Sequence, residues 1–174
     1  SSDKNQSSDT SVQQNIDTDD VTLTVSGNAQ VDDDAKAVAV DAGVSGAAVI
    51  VESGSTITTT SLDNGIIADN TTLLDVTNSG TISASRHKAI DIYRSTNSSI
   101  TNNSGATISS VGNTIRTGGT SGDPSTGYTI TNSGIIFSTS TGTKSSVFFG
   151  NENSSGGTII NNSGAEIYSG GNVA

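Results

Sequence analysis

One short unit recurs along the chain: an apolar residue, a hydroxyl or amide residue, Asn-Ser-Gly, and a second apolar residue. It reads Asp75-Val76-Thr77-Asn78-Ser79-Gly80-Thr81-Ile82, then Ile100-Thr101-Asn102-Asn103-Ser104-Gly105-Ala106-Thr107-Ile108. It returns as Ile130-Thr131-Asn132-Ser133-Gly134-Ile135-Ile136 and Ile159-Ile160-Asn161-Asn162-Ser163-Gly164-Ala165-Glu166-Ile167. Two weaker copies precede these, around Ser26-Gly27 and Ser53-Gly54, so a Ser-Gly pair marks six copies spaced 25 to 30 residues apart. A repeat of that length implies a solenoid, whose units bury their apolar residues only by stacking on one another.

The chemistry of the unit selects the kind of solenoid. Leucine is scarce and Ala-rich runs of helical period are missing, which argues against leucine-rich and helix-pair repeats. The apolar positions are Ile and Val in short runs between Thr, Ser, Asn and Gly, the chemistry of strands broken by turns. A second apolar run follows each of the first five Ser-Gly turns: Ala37–Val40, Gly65–Ala68, Ala89–Ile92, Thr114–Arg116 and Val147–Phe149. Each coil is therefore expected to hold three short strands that pair in parallel with their counterparts one coil away, about 4.8 Å along the stack.

The predicted fold is all-β, a right-handed parallel β-helix of about six coils over 21–174, preceded by an acidic polar arm over 1–20 that lies along the first coil. Loop lengths vary most in Thr117–Gly127 and Ser138–Ser146. The sixth coil breaks off after Tyr168-Ser169-Gly170-Gly171. An open end there is expected to mean either a piece of a longer rod or a subunit completed by another copy.

Composition narrows function. Seventeen acidic residues against seven Lys and Arg leave a formal charge of −10, and no basic patch is interleaved with aromatics, so a nucleic-acid partner is not expected. The chain has no cysteine, which excludes disulfides and thiolate metal sites. No run is long and apolar enough for a transmembrane helix, and no charged-then-apolar leader opens the sequence.

The Asn-Ser-Gly coils resemble the passenger-domain repeats of autotransporters and similar β-helical adhesins of bacterial surfaces. That resemblance covers about Val21 to Ala174. It implies secretion to the cell surface and a non-catalytic structural or adhesive rod that meets a host or neighbouring-cell ligand, or other copies of itself. Two alternatives are a self-assembling subunit of an extracellular filament, since open solenoid ends offer unpaired strand edges, and a carbohydrate-active enzyme, since parallel β-helices also carry such activities.

The enzyme reading looks to Arg86-His87-Lys88 with Asp91 and Arg94, three of the seven Lys and Arg together with the single His. Charge balance on a solvated loop explains the same residues, and no catalytic residue is assigned. Asp32-Asp33-Asp34 and the group Asp17, Asp19, Asp20 offer oxygen ligands for calcium, but neither has the spacing of a recognised calcium loop; no cofactor is expected. Asn70-Thr71-Thr72 and Asn97-Ser98-Ser99 match the glycosylation acceptor pattern.

The residues singled out are structural: the turn ladder Asn78, Ser79, Gly80; Asn103, Ser104, Gly105; Asn132, Ser133, Gly134; and Asn162, Ser163, Gly164. Counting two residues back from each turn glycine predicts that Asn78, Asn103, Asn132 and Asn162 stack. Aligning Ile90 with Ile115 further places Asp91 beside Arg116 as an exposed ion pair.

Overall fold

The computed structural model describes residues 3–7, 10–31, 35–60, 62–142, 144–150 and 154–170. Alternation is the local cause of the strands. In Thr22–Val25, Thr81–Ala84 and Thr107–Ser110, successive side chains alternate between half-exposed and buried, so one row faces the core and the other faces solvent.

Three sheets form the walls. The first holds β1 (Lys4–Gln6), β3 (Thr22–Val25), β6 (Ala48–Val51), β9 (Asp75–Asn78), β12 (Ser99–Asn102), β16 (Thr129–Asn132) and β20 (Thr158–Asn161). The second holds β4 (Asn28–Val31), β7 (Thr56–Thr59), β10 (Thr81–Ala84), β13 (Thr107–Ser110), β17 (Ile135–Ser138) and β21 (Glu166–Ser169). The third holds β2 (Gln14–Ile16), β5 (Val38–Val40), β8 (Ile66–Asp69), β11 (Ile90–Tyr93), β14 (Ile115–Gly118) and β18 (Val147–Gly150). A fourth, two-stranded pairing joins β15 (Ser125–Thr126) to β19 (Ser154–Ser155).

Every strand pairing is parallel and joins counterparts in adjacent coils. The molecule is a parallel β-solenoid with five complete three-strand turns and partial turns before and after them. Residues 1–20, expected as an arm along the first coil, contribute β1, paired with β3, and β2, paired with β5. Ile16 is fully buried there.

The register stacks like on like. One wall aligns Leu23, Val49, Val76, Ile100, Ile130 and Ile159. The next aligns Ala29, Ile57, Ile82, Ile108, Ile136 and Ile167. The third aligns Val38, Ile66, Ile90, Ile115 and Val147. Ile57, Ile82, Ile100, Ile108, Ile115 and Ile130 are at most 1% exposed, and burying one such side chain contributes about 1.5–3 kcal/mol.

The Ser-Gly turns alternate in length up the stack. β3 to β4, β9 to β10 and β16 to β17 are joined by two residues; β6 to β7, β12 to β13 and β20 to β21 are joined by four. In the long turns the glycine takes a positive φ: +80° at Gly54, +78° at Gly105 and +81° at Gly164. The carbonyl four residues before the next strand closes each β-turn, as in Ala106 N to Asn103 O at 3.0 Å. In the short turns the glycine is needed for space. A Cβ on Gly80 would lie 2.2 Å from Ser55 O, and one on Gly134 the same distance from Ala106 O. Each of these short turns therefore nests on the long turn of the preceding coil.

Candidate functional site

The interior of the first-sheet corner changes chemistry along the stack. Val25 aligns with Val51, and Val51 aligns with Asn78. From there the column is Asn78, Asn102, Asn132 and Asn161. Each Nδ2 donates to the Oδ1 of the next: Asn78 to Asn102 at 2.9 Å, Asn102 to Asn132 at 2.9 Å, Asn132 to Asn161 at 2.8 Å. The same amides donate to strand carbonyls one coil on, at Thr107 O (3.0 Å), Ile135 O (3.2 Å) and Glu166 O (3.0 Å). Asn78, Asn102 and Asn132 have no exposed surface, and pairing both amide hydrogens removes the cost of burying them.

This corrects the expected stack. Asn103 and Asn162 are not in the interior column; they begin the four-residue turns and donate outside it, to Ser79 Oγ and Ser133 Oγ, both at 2.8 Å. Counting back from the glycine fails because the long turn inserts two residues between strand and glycine. The doubled Asn-Asn was the signal: it marks a long turn, and its first Asn is the last strand residue.

A second internal ladder was not anticipated. The corner between the third and first walls stacks Ser45, Thr72, Thr96 and Thr126 through single parallel bridges. Inside it lie buried Val44, Thr71, Ser95 and Ser125. Ser95 Oγ accepts from Thr71 N at 3.1 Å, and Ser125 Oγ accepts from Ser95 N at 3.0 Å. The residue that follows this corner is left-handed in every coil: Asp20, Gly46, Leu73, Asn97, Gly127 and Gly156 have φ between 52° and 69°. Gly, Asn and Asp suit that conformation, whereas Leu73 does not. Hydroxyl pairs before an Asn or Gly were the available sign, hidden by the general abundance of Ser and Thr.

The charged cluster is organised by Asp91. The predicted alignment of Ile90 with Ile115, and so of Asp91 with Arg116, is observed. The pair is not exposed, however: Asp91 is 2% exposed and Arg116 30%. Arg116 grips the carboxylate with two nitrogens, Nε to Oδ1 at 2.7 Å and Nη2 to Oδ2 at 2.8 Å. Lys88 Nζ lies 3.5 Å from Oδ2, and Asn64 Nδ2 donates to it at 3.3 Å. Arg116 also covers the Tyr93 ring at 5.0 Å. The outward-pointing carboxylate is buried because the neighbouring long side chains fold over it. Arg94 lies elsewhere, bound to Asp69 through two nitrogens.

Arg86, His87 and Lys88 occupy the corner between β10 and β11, and with Gly112, Asn113 and Lys144 they line a cleft of about 210 Å³. Gly112 forms its tight wall, since a Cβ there would meet His87 O at 2.5 Å. Burial, followed by the Lys88 charge, lowers the His87 pKa below its ordinary 6.5; Arg116 acts in the same direction, while Asp63 and Asp91 oppose it. Among the described residues no three His, Cys, Asp or Glu side chains converge as a metal site. Asp17 is engaged by Lys4 and Thr18, and Asp19 accepts from Ser45 N. The candidate triplet Asp32-Asp33-Asp34 lies outside the described residues. Asn70 and Asn97 are exposed at left-handed turn positions.

No helix among the described residues is long and apolar enough to cross a membrane. Comparison with protein-family models, curated proteins and solved structures finds no match.

Proposed function

We propose that the chain is a secreted, non-catalytic β-solenoid rod of a cell surface, structural or adhesive, in keeping with the likeness of its repeat to autotransporter passenger domains. The observation that carries this reading is where the polar chemistry goes. The buried Asn78, Asn102 and Asn132 amides and the Ser95 and Ser125 hydroxyls bond to their counterparts or to the backbone of the adjacent coil, which holds coil on coil. Asp91, the one buried charged side chain among the described residues, is neutralised by Arg116 and Lys88. A carboxylate gripped by two nitrogens of one guanidinium is a structural anchor between coils.

The test is adhesion. Beads coated with the folded chain should bind cells, beads coated with heat-denatured chain should not, and the protein should leave a panel of polysaccharides uncleaved. Turnover of any polysaccharide, or equal binding by folded and denatured coats, contradicts the reading.

Assembly of copies by coil-on-coil stacking is a second reading, favoured by exposed Ile159, Ile160 and Tyr168 on β20 and β21. Those strands present one unpaired edge among the described residues. Electron microscopy showing filaments that lengthen with concentration supports it, and particles of one length at every concentration count against it.

A further inference from the structure

We infer that the cleft between Arg86, His87, Lys88, Asn113 and Lys144 is a binding site for an acidic polysaccharide, holding one carboxylate or sulfate group of a sugar. The inference deepens the adhesive reading and rests on it.

Charge distribution is the first support. The chain carries −10 overall, yet three of its seven Lys and Arg, together with its only His, meet in this one cleft. They come from the corresponding corner of three successive coils: Arg86–Lys88 after β10, Gly112 and Asn113 after β13, and Lys144 after β17. At about 4.8 Å per coil the cations span about 10 Å along the stack.

The second support is availability. Lys88 is bound to Asp91, but Arg86 and Lys144 make no ion pair among the described residues. Two free cations therefore flank one that is already compensated. In a polyelectrolyte of net negative charge, such a concentration of unpaired positive charge focuses an attractive field on one point.

The third support is that the cleft is built. Asn64 Oδ1 accepts from Lys88 N at 3.2 Å and lies 3.3 Å from His87 Nδ1, which ties the corner bearing the cations to the coil before it. Asn113 Oδ1 accepts from Ser145 N at 3.0 Å, and Ser169 Oγ donates to Lys144 O at 2.9 Å. Those bonds fix the loop that carries Lys144 and leave Asn113 Nδ2 as a donor for a sugar hydroxyl.

Size and surroundings select the ligand. The cleft is smaller than the about 300–1,000 Å³ of sites for drug-sized molecules, so it takes a single group and not a whole compact ligand. Duplex nucleic acid carries a charge every ~1.7 Å and would press its other phosphates against an acidic surface. An acidic polysaccharide carries its charges one sugar apart among neutral hydroxyls, which suits a small cationic cleft in a surface rich in Ser, Thr and Asn.

The experiment is calorimetric titration of the full chain at low ionic strength with polygalacturonate, dextran sulfate, neutral dextran and a short DNA duplex. The first two distinguish carboxylate from sulfate. Binding of either one, and not of neutral dextran or DNA, is expected; in Arg86→Ala/Lys144→Ala the affinity should fall at least about tenfold. Lys4→Ala, which removes a cation at the first coil, should leave it unchanged. All these side chains are exposed or pair only at the surface, and circular dichroism verifies that the variants fold. Binding of neither polyanion above neutral dextran, equal affinity of the double variant and Lys4→Ala, or DNA binding as tight as either polysaccharide overturns the proposal. Such a failure leaves the adhesive rod standing, because that reading is decided by the bead assay.

Discussion

Asn102 and Asn103 are neighbours with the same side chain and opposite roles. The first donates within a sealed column; the second bonds a serine hydroxyl at the surface edge. Asn102→Ala leaves the Asn78 and Asn132 amides short of a partner and should destabilise by about 1–3 kcal/mol, the cost of an orphaned buried polar group. Asn103→Ala should cost within about 0.5 kcal/mol, as for most surface changes. Urea unfolding of the two variants measures the difference, and equal losses would mean the ladder has been placed on the wrong residue. Leu73 makes the opposite test. Its φ of +56° strains a residue that is 55% exposed, so Leu73→Asn should stabilise by up to about 1 kcal/mol.

His87 gives a prediction in pH. Its neighbours are Arg86, Lys88, Lys144 and Arg116 as cations and Asp63 and Asp91 as anions, and the balance with burial depresses its pKa. The unfolded chain then protonates this histidine more readily than the folded one. Its contribution to stability is complete above the unfolded value of 6.5 and is lost as pH falls toward the lower folded value. His87→Gln should flatten the pH dependence of the urea midpoint between pH 7.5 and pH 5.5. An unchanged slope would show that His87 does not carry it.

At the scale of the element, the alternating turns decide which glycines tolerate change. Gly80→Ala puts a methyl 2.2 Å from Ser55 O and 2.6 Å from Glu52 O, both backbone atoms of the nested turn. Gly105→Ala meets nothing within 4 Å and costs only the strain of its φ of +78°, roughly 1–2 kcal/mol. Thermal melts should therefore rank Gly80→Ala well below Gly105→Ala, and the reverse order would contradict the nesting. The strands themselves were legible: the Ile and Val positions, the three strands per coil and the alignment of Ile90 with Ile115 all follow from the repeat. The turn lengths were less so, because Ser-Gly looks the same in a two-residue and a four-residue connection. Burial of Asp91 was not legible at all. It depends on Arg116, Lys88 and Asn64 arriving from three coils, and a sequence pattern reports which wall a side chain faces, not what folds over it.

Across the whole molecule, stability is a sum over coils and the contacts between neighbours. Ile108 sits at the centre of its wall, between Ile82 and Ile136, and Ile108→Ala should cost about 2–5 kcal/mol, as for a large core cavity. The ladders add specificity to that core. An aliphatic column tolerates a slip of one coil or a shift in pairing, whereas a slipped asparagine loses both its amide partner and its carbonyl. Registration by polar columns inside an apolar stack accounts for a rod with few aromatics and no cysteine. It also leaves the outer surface free to vary, which places the cationic cleft on the corner loops without disturbing the walls.

Nuclear Overhauser spectroscopy on the asparagine side-chain amides interrogates that stacking directly. The amide protons of Asn102 should show cross-peaks to those of both Asn78 and Asn132 and exchange slowly with solvent, while those of Asn103 show neither. Cross-peaks linking Asn103 in place of Asn102, or rapid exchange at all of these amides, would contradict the stacked and registered interior.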